Sequence, residues 1–207
     1  MASNNGDKIL NVHTNLAVRL NPVFYQLPNE SYQAWFYERF INLVSYEKQG
    51  QHIIDFVDNN SSVYEGCTQI VHTYGVDELL PEDFDTYIRK SISDDQFVNL
   101  WCDEYYIKES IRYNKGHFVH PLTVYGVKNG QAYCEFFSLT RGMILIEVPM
   151  DDLRRAYYSI KDHYTCGASY DILKAAMCTY KVKKCKGEPF DLAVFNRELS
   201  YYFHGQP

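Results

Sequence analysis

The feature that most constrains the fold is a hairpin signal in the middle of the chain. Two apolar runs rich in β-branched and aromatic residues, HFVHPLTVYGV (117–127) and QAYCEFF (131–137), flank the dipeptide Asn129-Gly130. Asn-Gly is the strongest short-range signal for a two-residue type I′ turn, because both central positions of that turn need a positive φ. The sequence therefore predicts two antiparallel strands and a sheet in this region.

The same turn predicts which residues face each other. Lys128 would face Gln131, and Val124 would face Glu135. His120 would then share a face of the sheet with Glu135 but lie four residues along, which separates the two by about 13 Å. That distance is too long for a hydrogen bond unless a β-bulge shifts the register.

The remaining periodicities predict an α+β protein, with N-terminal helices packed on a mostly antiparallel sheet and further helices at the C-terminus. We expect one domain over residues 1–207, with a core over about 8–160 and a helical extension over about 161–207. Strands are predicted over 52–57, 96–107 and 141–148, besides the hairpin. Helices are predicted over 14–20, 32–47, 81–93, 149–164, 168–184 and 190–203.

Composition and charge narrow the class of protein. The net charge of −6 gives no general attraction to nucleic acid. No apolar run approaches the length of a membrane-spanning helix, and the N-terminus lacks the pattern of a secretory signal. The six cysteines show no paired metal-ligand spacing. We therefore expect a cytoplasmic protein with mostly reduced, buried thiols, without a metal or another cofactor.

The hairpin carries the best candidate for a catalytic residue. Cysteine–histidine enzymes place a thiol at the start of an early helix and a histidine on a later strand, and a carboxylate or amide fixes the tautomer of that histidine. His120 stands at the entry of an apolar strand and fits the second of these positions. Asp103, on the preceding predicted strand, and Glu135 are the candidate orienting carboxylates. A strand-entry histidine with only local hydrogen bonds is the alternative interpretation of His120.

Three segments of the chain carry distinctive motifs, namely residues 35–43 (WFYERFINL), 100–127 (LWCDEYYIKESIRYNKGHFVHPLTVYGV) and 151–160 (DDLRRAYYSI). Together they resemble a family of small bacterial proteins related to the N-terminal domain of the butirosin biosynthesis acyltransferase, and the resemblance extends over roughly residues 8–160. The family's motifs are an Asp-x-x-Tyr-Ile strand, a His-Phe-x-His pair and a Tyr-Gly strand. In this chain they match Asp103, Tyr106 and Ile107; His117, Phe118 and His120; and Tyr125 and Gly126.

This resemblance implies a fold, an activity and partners. The fold would be that of papain-like cysteine peptidases. The activity would be acyl or aminoacyl transfer from a carrier-protein thioester, or amide-bond processing, in a non-ribosomal peptide or polyketide pathway. The partners would be a carrier protein or synthetase domain and a small amine or peptide, without nucleic acid or membrane; a homodimer is a further option. His120 would be the general base.

The chain departs from the family at the nucleophile. Family members carry a cysteine near the N-terminus, where this chain reads ILNVHTNLAVRLNPVF (9–24), and Pro121 follows the histidine where an acidic residue is usual. The first cysteine is Cys67, so the nucleophile would be Cys67 or the amine of the substrate itself. A carrier thioester is already activated, and an amine could attack it with only proximity and a base. The alternative is a non-catalytic binding or scaffold protein that has lost the nucleophile.

Overall fold

The computed structural model describes residues 21–23, 25–26, 43–48, 51–56, 68–76, 78, 83–163, 175–183 and 191–204. The chain divides into two compact units. One comprises residues 1–8, 23–69 and 182–207, and the other comprises residues 9–22 and 70–181. The helix predicted over 14–20, most of the one predicted over 32–47, and Cys67 lie outside the described residues.

In the first unit the described residues include a hairpin and a C-terminal helix. Strand β1 (Leu43–Lys48) pairs antiparallel with β2 (Gln51–Phe56). The prediction of a strand in HIIDFV is confirmed, but the prediction that residues 43–47 are helical is wrong. Cross-strand pairing decides this segment, because a short run of mixed residues has no strong helical preference to oppose it. A helix over Leu192–His204 confirms the prediction for the C-terminal segment.

The second unit is built around a six-stranded sheet. Its strand order is β3-β8-β4-β5-β6-β7, and the pairs β8-β4, β4-β5, β5-β6 and β6-β7 are antiparallel. With the helices that cover it, this sheet confirms the α+β class. The strands are β3 (Thr68–Tyr74), β4 (Phe97–Asp103), β5 (Val119–Lys128), β6 (Gln131–Ser138), β7 (Gly142–Pro149) and β8 (Met177–Val182).

The predicted turn between β5 and β6 is present. Asn129 has a φ of 52° and Gly130 a φ of 76°, as a type I′ turn requires, and Lys128 faces Gln131. The predicted register is nevertheless wrong beyond Gly126, because an extra residue, Tyr125, bulges out of β5. The bulge places Thr123, rather than Val124, opposite Glu135.

Two helices cover the sheet. Helix α1 (Phe84–Ser93) and helix α2 (Met150–Tyr158) pack against β4, and a short helix α3 (Ile160–His163) follows. Asp83 caps α1 by accepting hydrogen bonds from the backbone amides of Asp85 and Thr86, so the helix starts later than the predicted Pro81. Burial of apolar side chains between these layers supplies the main stabilisation. The core includes Phe84, Ile88, Val98, Leu100, Leu122, Val124, Phe136, Leu153 and Ala156.

The helix predicted over 168–184 is wrong in its second half, where β8 lies between β3 and β4. Alanine, methionine and lysine favour a helix in this segment. Residues 177–180 nevertheless pair with β4, and the side chains of Met177, Thr179 and Tyr180 are buried. Pairing and burial outweigh the local preference. Among the described helices, none has the length and hydropathy that crossing a bilayer requires.

Candidate functional site

Asp103 ends β4 and organises the turn that follows it. Its side chain is fully buried, and its Oδ1 accepts hydrogen bonds from the backbone amides of Tyr105 (3.1 Å) and Phe118 (3.1 Å). The first bond caps the 3₁₀ turn Glu104–Tyr106, which ends the strand earlier than the predicted residue 107. The second bond ties this turn to the start of β5. A carboxylate at this position therefore holds two backbone segments together.

The other oxygen of Asp103 orients a histidine. Oδ2 lies 2.6 Å from Nδ1 of His117 and accepts a further hydrogen bond of 2.8 Å from the hydroxyl of Ser159. Burial alone would raise the pKa of Asp103, but the hydrogen bonds from His117, Ser159, Tyr105 and Phe118 outweigh burial and lower that pKa. Asp103 is therefore ionised at neutral pH and can only accept. Nδ1 of neutral His117 must then carry the proton, which leaves Nε2 with the lone pair.

Two rings hold His117 from both sides. The ring of His163 is parallel to it within 4°, with 3.5 Å between centroids, and the ring of Tyr105 is inclined by 18° at 4.6 Å. Two rings at these separations would collide on one face, so they stack on opposite faces. The imidazole is thus fixed at one edge and on both faces, while 36% of the side chain stays exposed. No described residue hydrogen-bonds to its Nε2.

Asp103, His117 and His163 each offer one ligand atom, and these atoms lie within 4.8 Å of one another. The stacking does not suit a metal ion. A histidine nitrogen binds a metal at about 2.1 Å with the lone pair in the ring plane. An ion between two rings stacked 3.5 Å apart would lie far outside both planes. The arrangement fits a hydrogen-bonded, stacked base better than a metal centre.

His120 has a different carboxylate partner from the predicted ones. Its Nδ1 lies 3.1 Å from Oε1 of Glu104, close enough for ionic attraction but too poorly aligned for a hydrogen bond. Glu104 is also buried, and its Oε2 accepts a 2.5 Å hydrogen bond from the hydroxyl of Ser110. The rings of Phe118 and Phe137 lie 5.7 Å from the imidazole of His120, and 18% of its side chain is exposed. The structure does not bring Asp103 to His120.

Glu135 is also separated from His120. Because the bulge pairs Glu135 with Thr123, side-chain alternation places Glu135 and His120 on opposite faces of the sheet. The two carboxylate oxygens of Glu135 accept hydrogen bonds from the amide of Asn21 and, at 2.8 Å, from the hydroxyl of Tyr125. Burial raises the pKa of Glu135 to about 7, although both hydrogen bonds oppose that shift.

The described cysteines near these groups are poor nucleophiles. Cys102, opposite His120 on β4, and Cys134 on β6 are buried free thiols. Burial raises the pKa of the Cys102 thiol well above its usual range, and nearby carboxylates add to the effect. Burial raises the pKa of Cys134 as well. Both thiols therefore stay protonated at neutral pH, and a protonated thiol is a weak nucleophile.

Sequence reasoning missed three members of this site, namely His117 as the partner of Asp103, Glu104 beside His120, and His163. A signal for the first two is present in the sequence. Two consecutive carboxylates, Asp103 and Glu104, lie toward the end of one predicted strand, and two histidines three residues apart, His117 and His120, lie at the start of the next. The segment between them turns back, so each carboxylate meets one histidine. His163 arrives from a separate helix and had no such signal.

Comparison with known proteins does not identify a family for this chain. The chain matches no protein-family model and no curated protein.

Proposed function

We propose that this protein is an enzyme of acyl or aminoacyl transfer, or of amide-bond processing, in which His117 is the general base. The observation that carries the proposal is the dyad of Asp103 and His117. A buried, ionised carboxylate holds Nδ1–H of a partly exposed imidazole, and the other ring nitrogen keeps its lone pair. This is how acyl-transfer enzymes present a histidine to a nucleophile.

The dyad supports a reaction that needs a base but no covalent enzyme intermediate. Nε2 of His117 would take a proton from an amine as the amine nitrogen attacks the carbonyl carbon of an acyl thioester. The new C–N bond forms, the C–S bond breaks, and the thiolate leaves with the proton returned by the imidazolium. Asp103 stabilises the imidazolium in between. General base catalysis of this kind contributes about 10²- to 10⁴-fold.

Geometry supports His117 as this base better than His120, which the sequence suggested. His117 has an aligned 2.6 Å hydrogen bond to an ionised carboxylate, whereas His120 has a carboxylate nearby without alignment. His117 is also the more exposed of the two side chains, at 36% against 18%. A base needs a fixed tautomer, which the aligned hydrogen bond provides, and it must reach its substrate, which exposure allows. Both differences therefore favour His117. A role for His120 as the base stays a prediction that the same experiment tests.

The nucleophile is proposed to be the substrate's amine or water. Cys102 and Cys134 are buried and protonated, and Cys67 lies outside the described residues. An acyl thioester already has a good leaving group, so its aminolysis is the reaction that this arrangement can catalyse with least additional machinery. The resemblance to acyltransferase-related proteins of natural-product pathways supports a carrier-bound thioester as the acyl donor. It also supports a papain-like arrangement of the helices and the sheet.

A non-catalytic binding protein is the second candidate, because the stretch where the family carries its cysteine has none in this chain. In that case the dyad would only hold the start of β5 to the end of β4. The carrier protein or synthetase domain would then be a binding partner rather than the source of a substrate.

Release of thiol from a panel of small acyl thioesters, with and without added amines, tests the proposal. His117→Gln should lower the rate about 10²- to 10⁴-fold, whereas His120→Gln should lower it much less. His204→Gln is the matched control, since His204 is an exposed histidine of the C-terminal helix. No thiol release by the wild type above background would favour the binding role, and equal rates for the wild type, His117→Gln and His120→Gln would exclude both histidines as the base. Loss of activity in His120→Gln but not in His117→Gln would identify His120 as the base.

A further inference from the structure

His163 belongs to the site but has no role in the proposed reaction. It is the last residue of helix α3 and contacts His117 face to face, with 3.5 Å between ring centroids and 4° between ring planes. It makes no described hydrogen bond to Asp103 or to His117. The two imidazoles therefore interact through their faces.

The energy of such a stack depends on how many protons the two rings carry. Two neutral rings attract by dispersion, and a neutral ring over an imidazolium attracts it further through its π electrons. Two imidazolium rings at this separation repel, because one carboxylate cannot balance two positive charges. The first proton is therefore compatible with the stack and the second is not.

The groups that face His117 define this balance. The carboxylate of Asp103, at the end of β4, accepts a hydrogen bond from His117. The phenol ring of Tyr105 in the 3₁₀ turn and the imidazole of His163 in α3 stack on the ring of His117. The end of α2 contributes Ser159, whose hydroxyl is neutral and bonds to Asp103. Asp103 supplies the negative charge of this set, and it already pairs with His117.

We propose that His163 is a positioning residue for His117 whose own protonation releases it from the stack. Neutral His163 holds the base flat against Tyr105 and stabilises the imidazolium that forms during turnover. In acid, the second proton separates the rings, and His117 loses the support of one face. This inference deepens the proposed function and rests on it for the effect on turnover, whereas the coupling of the two titrations is independent of any activity.

The coupling is measured by proton NMR. The Cε1–H signals of the two histidines, assigned with His117→Gln and His163→Gln, are followed between pH 4 and pH 9. In the wild type the curve of His117 should show two inflections, because interacting groups titrate as a pair. In His163→Phe, which keeps an aromatic ring without a titratable group, the curve should show one. Superimposable His117 curves in the wild type, His163→Phe and His163→Ala would overturn the inference.

Turnover separates this inference from the proposed function. At pH 8, His163→Ala should lower the rate about two- to fivefold through loss of the stacked ring, and His163→Phe, which supplies a ring again, should recover much of that loss. The acidic limb of the rate profile should become less steep in His163→Phe. If His117→Gln is inactive but the titrations are uncoupled, the inference fails alone. If the titrations are coupled but His117→Gln is active, the proposed function fails alone.

Discussion

The carboxylate of Asp103 accepts a 2.6 Å hydrogen bond from the imidazole of His117, although fourteen residues separate them in the sequence. The bond exists because the chain leaves β4 at Asp103, makes a 3₁₀ turn and returns to β5 beside the same carboxylate. Asp103 thus serves both as the cap of a turn and as the orienting group of a base.

Asp103→Asn should abolish most of the proposed activity without changing the shape of the site. The amide can still accept hydrogen bonds from the two backbone amides, but its NH₂ group faces Nδ1 of His117. The imidazole would then carry its proton on Nε2 and could not act as a base. We expect thioester aminolysis to fall about 10²- to 10⁴-fold.

The same variant should be less stable at neutral pH, by about 1–3 kcal/mol in urea unfolding. The folded state lowers the pKa of Asp103, so this carboxylate contributes stability above its unfolded-state pKa. That contribution disappears as the pH falls through the folded-state pKa.

Ser159→Ala is the control for the activity of Asp103→Asn. It removes one hydrogen-bond donor to Asp103 and leaves His117 bound, so its turnover should stay within a few-fold of wild type. A comparable loss of turnover in Ser159→Ala would contradict the tautomer argument.

Glu135→Gln should change how stability depends on pH. Burial raises the pKa of Glu135 to about 7, above the ordinary value of 4.5. Between these values the folded state holds a proton that the unfolded state has released, so wild-type stability falls as the pH rises from about 4.5 to about 7. The full effect is about 3 kcal/mol. The variant lacks this proton and should show a flatter curve across that range.

Urea unfolding at several pH values between 4.5 and 8 measures the effect of Glu135→Gln. Glu147→Gln, which changes an exposed glutamate on the neighbouring strand β7, should leave the wild-type slope intact. Parallel curves for the wild type and Glu135→Gln would show that the carboxylate titrates alike in the folded and unfolded chains.

Alkylation should distinguish the described cysteines. Cys102 and Cys134 are buried and have raised pKa values, whereas Cys178 is half-buried. With iodoacetamide at pH 8, the native protein should react at Cys178 well before either of the other two, since the thiolate is the reactive form. Peptide mass spectrometry locates the adducts, and the urea-unfolded protein serves as the reference in which all three react. Rapid modification of native Cys102 would reopen the question of a thiol nucleophile beside His120.

Gly130→Ala tests the turn that the sequence predicts most strongly. Gly130 has a φ of 76°, and an added Cβ would meet no atom within 4 Å, so the cost is conformational rather than steric. We expect a loss of about 1 kcal/mol in the free energy of unfolding. Gly126→Ala is the control, because it also has room for a Cβ and its φ is not positive. Equal effects of the two substitutions would contradict the turn assignment.

Much of the local structure was predictable from the sequence. The Asn129-Gly130 turn, helix α2 and the C-terminal helix depend on nearby residues, such as turn formers, a leading proline and acidic first-turn side chains. The errors in the type of secondary structure occurred where cross-strand pairing, rather than the neighbouring residues, determines the conformation. Residues 43–47 and 177–182 became strands because a partner strand was available.

The same distinction between local sequence and tertiary structure holds for the residues of the site. The sequence by itself determined which groups are available, since a pair of carboxylates stands where β4 gives way to a turn and a pair of histidines stands where β5 begins. Only the tertiary structure decided which carboxylate meets which histidine. The turn after Asp103 brings that residue to His117 and leaves Glu104 beside His120, and the bulge at Tyr125 turns Glu135 to the opposite face. Side-chain alternation in a strand reverses with a single extra residue, so register errors of that size redistribute every partner.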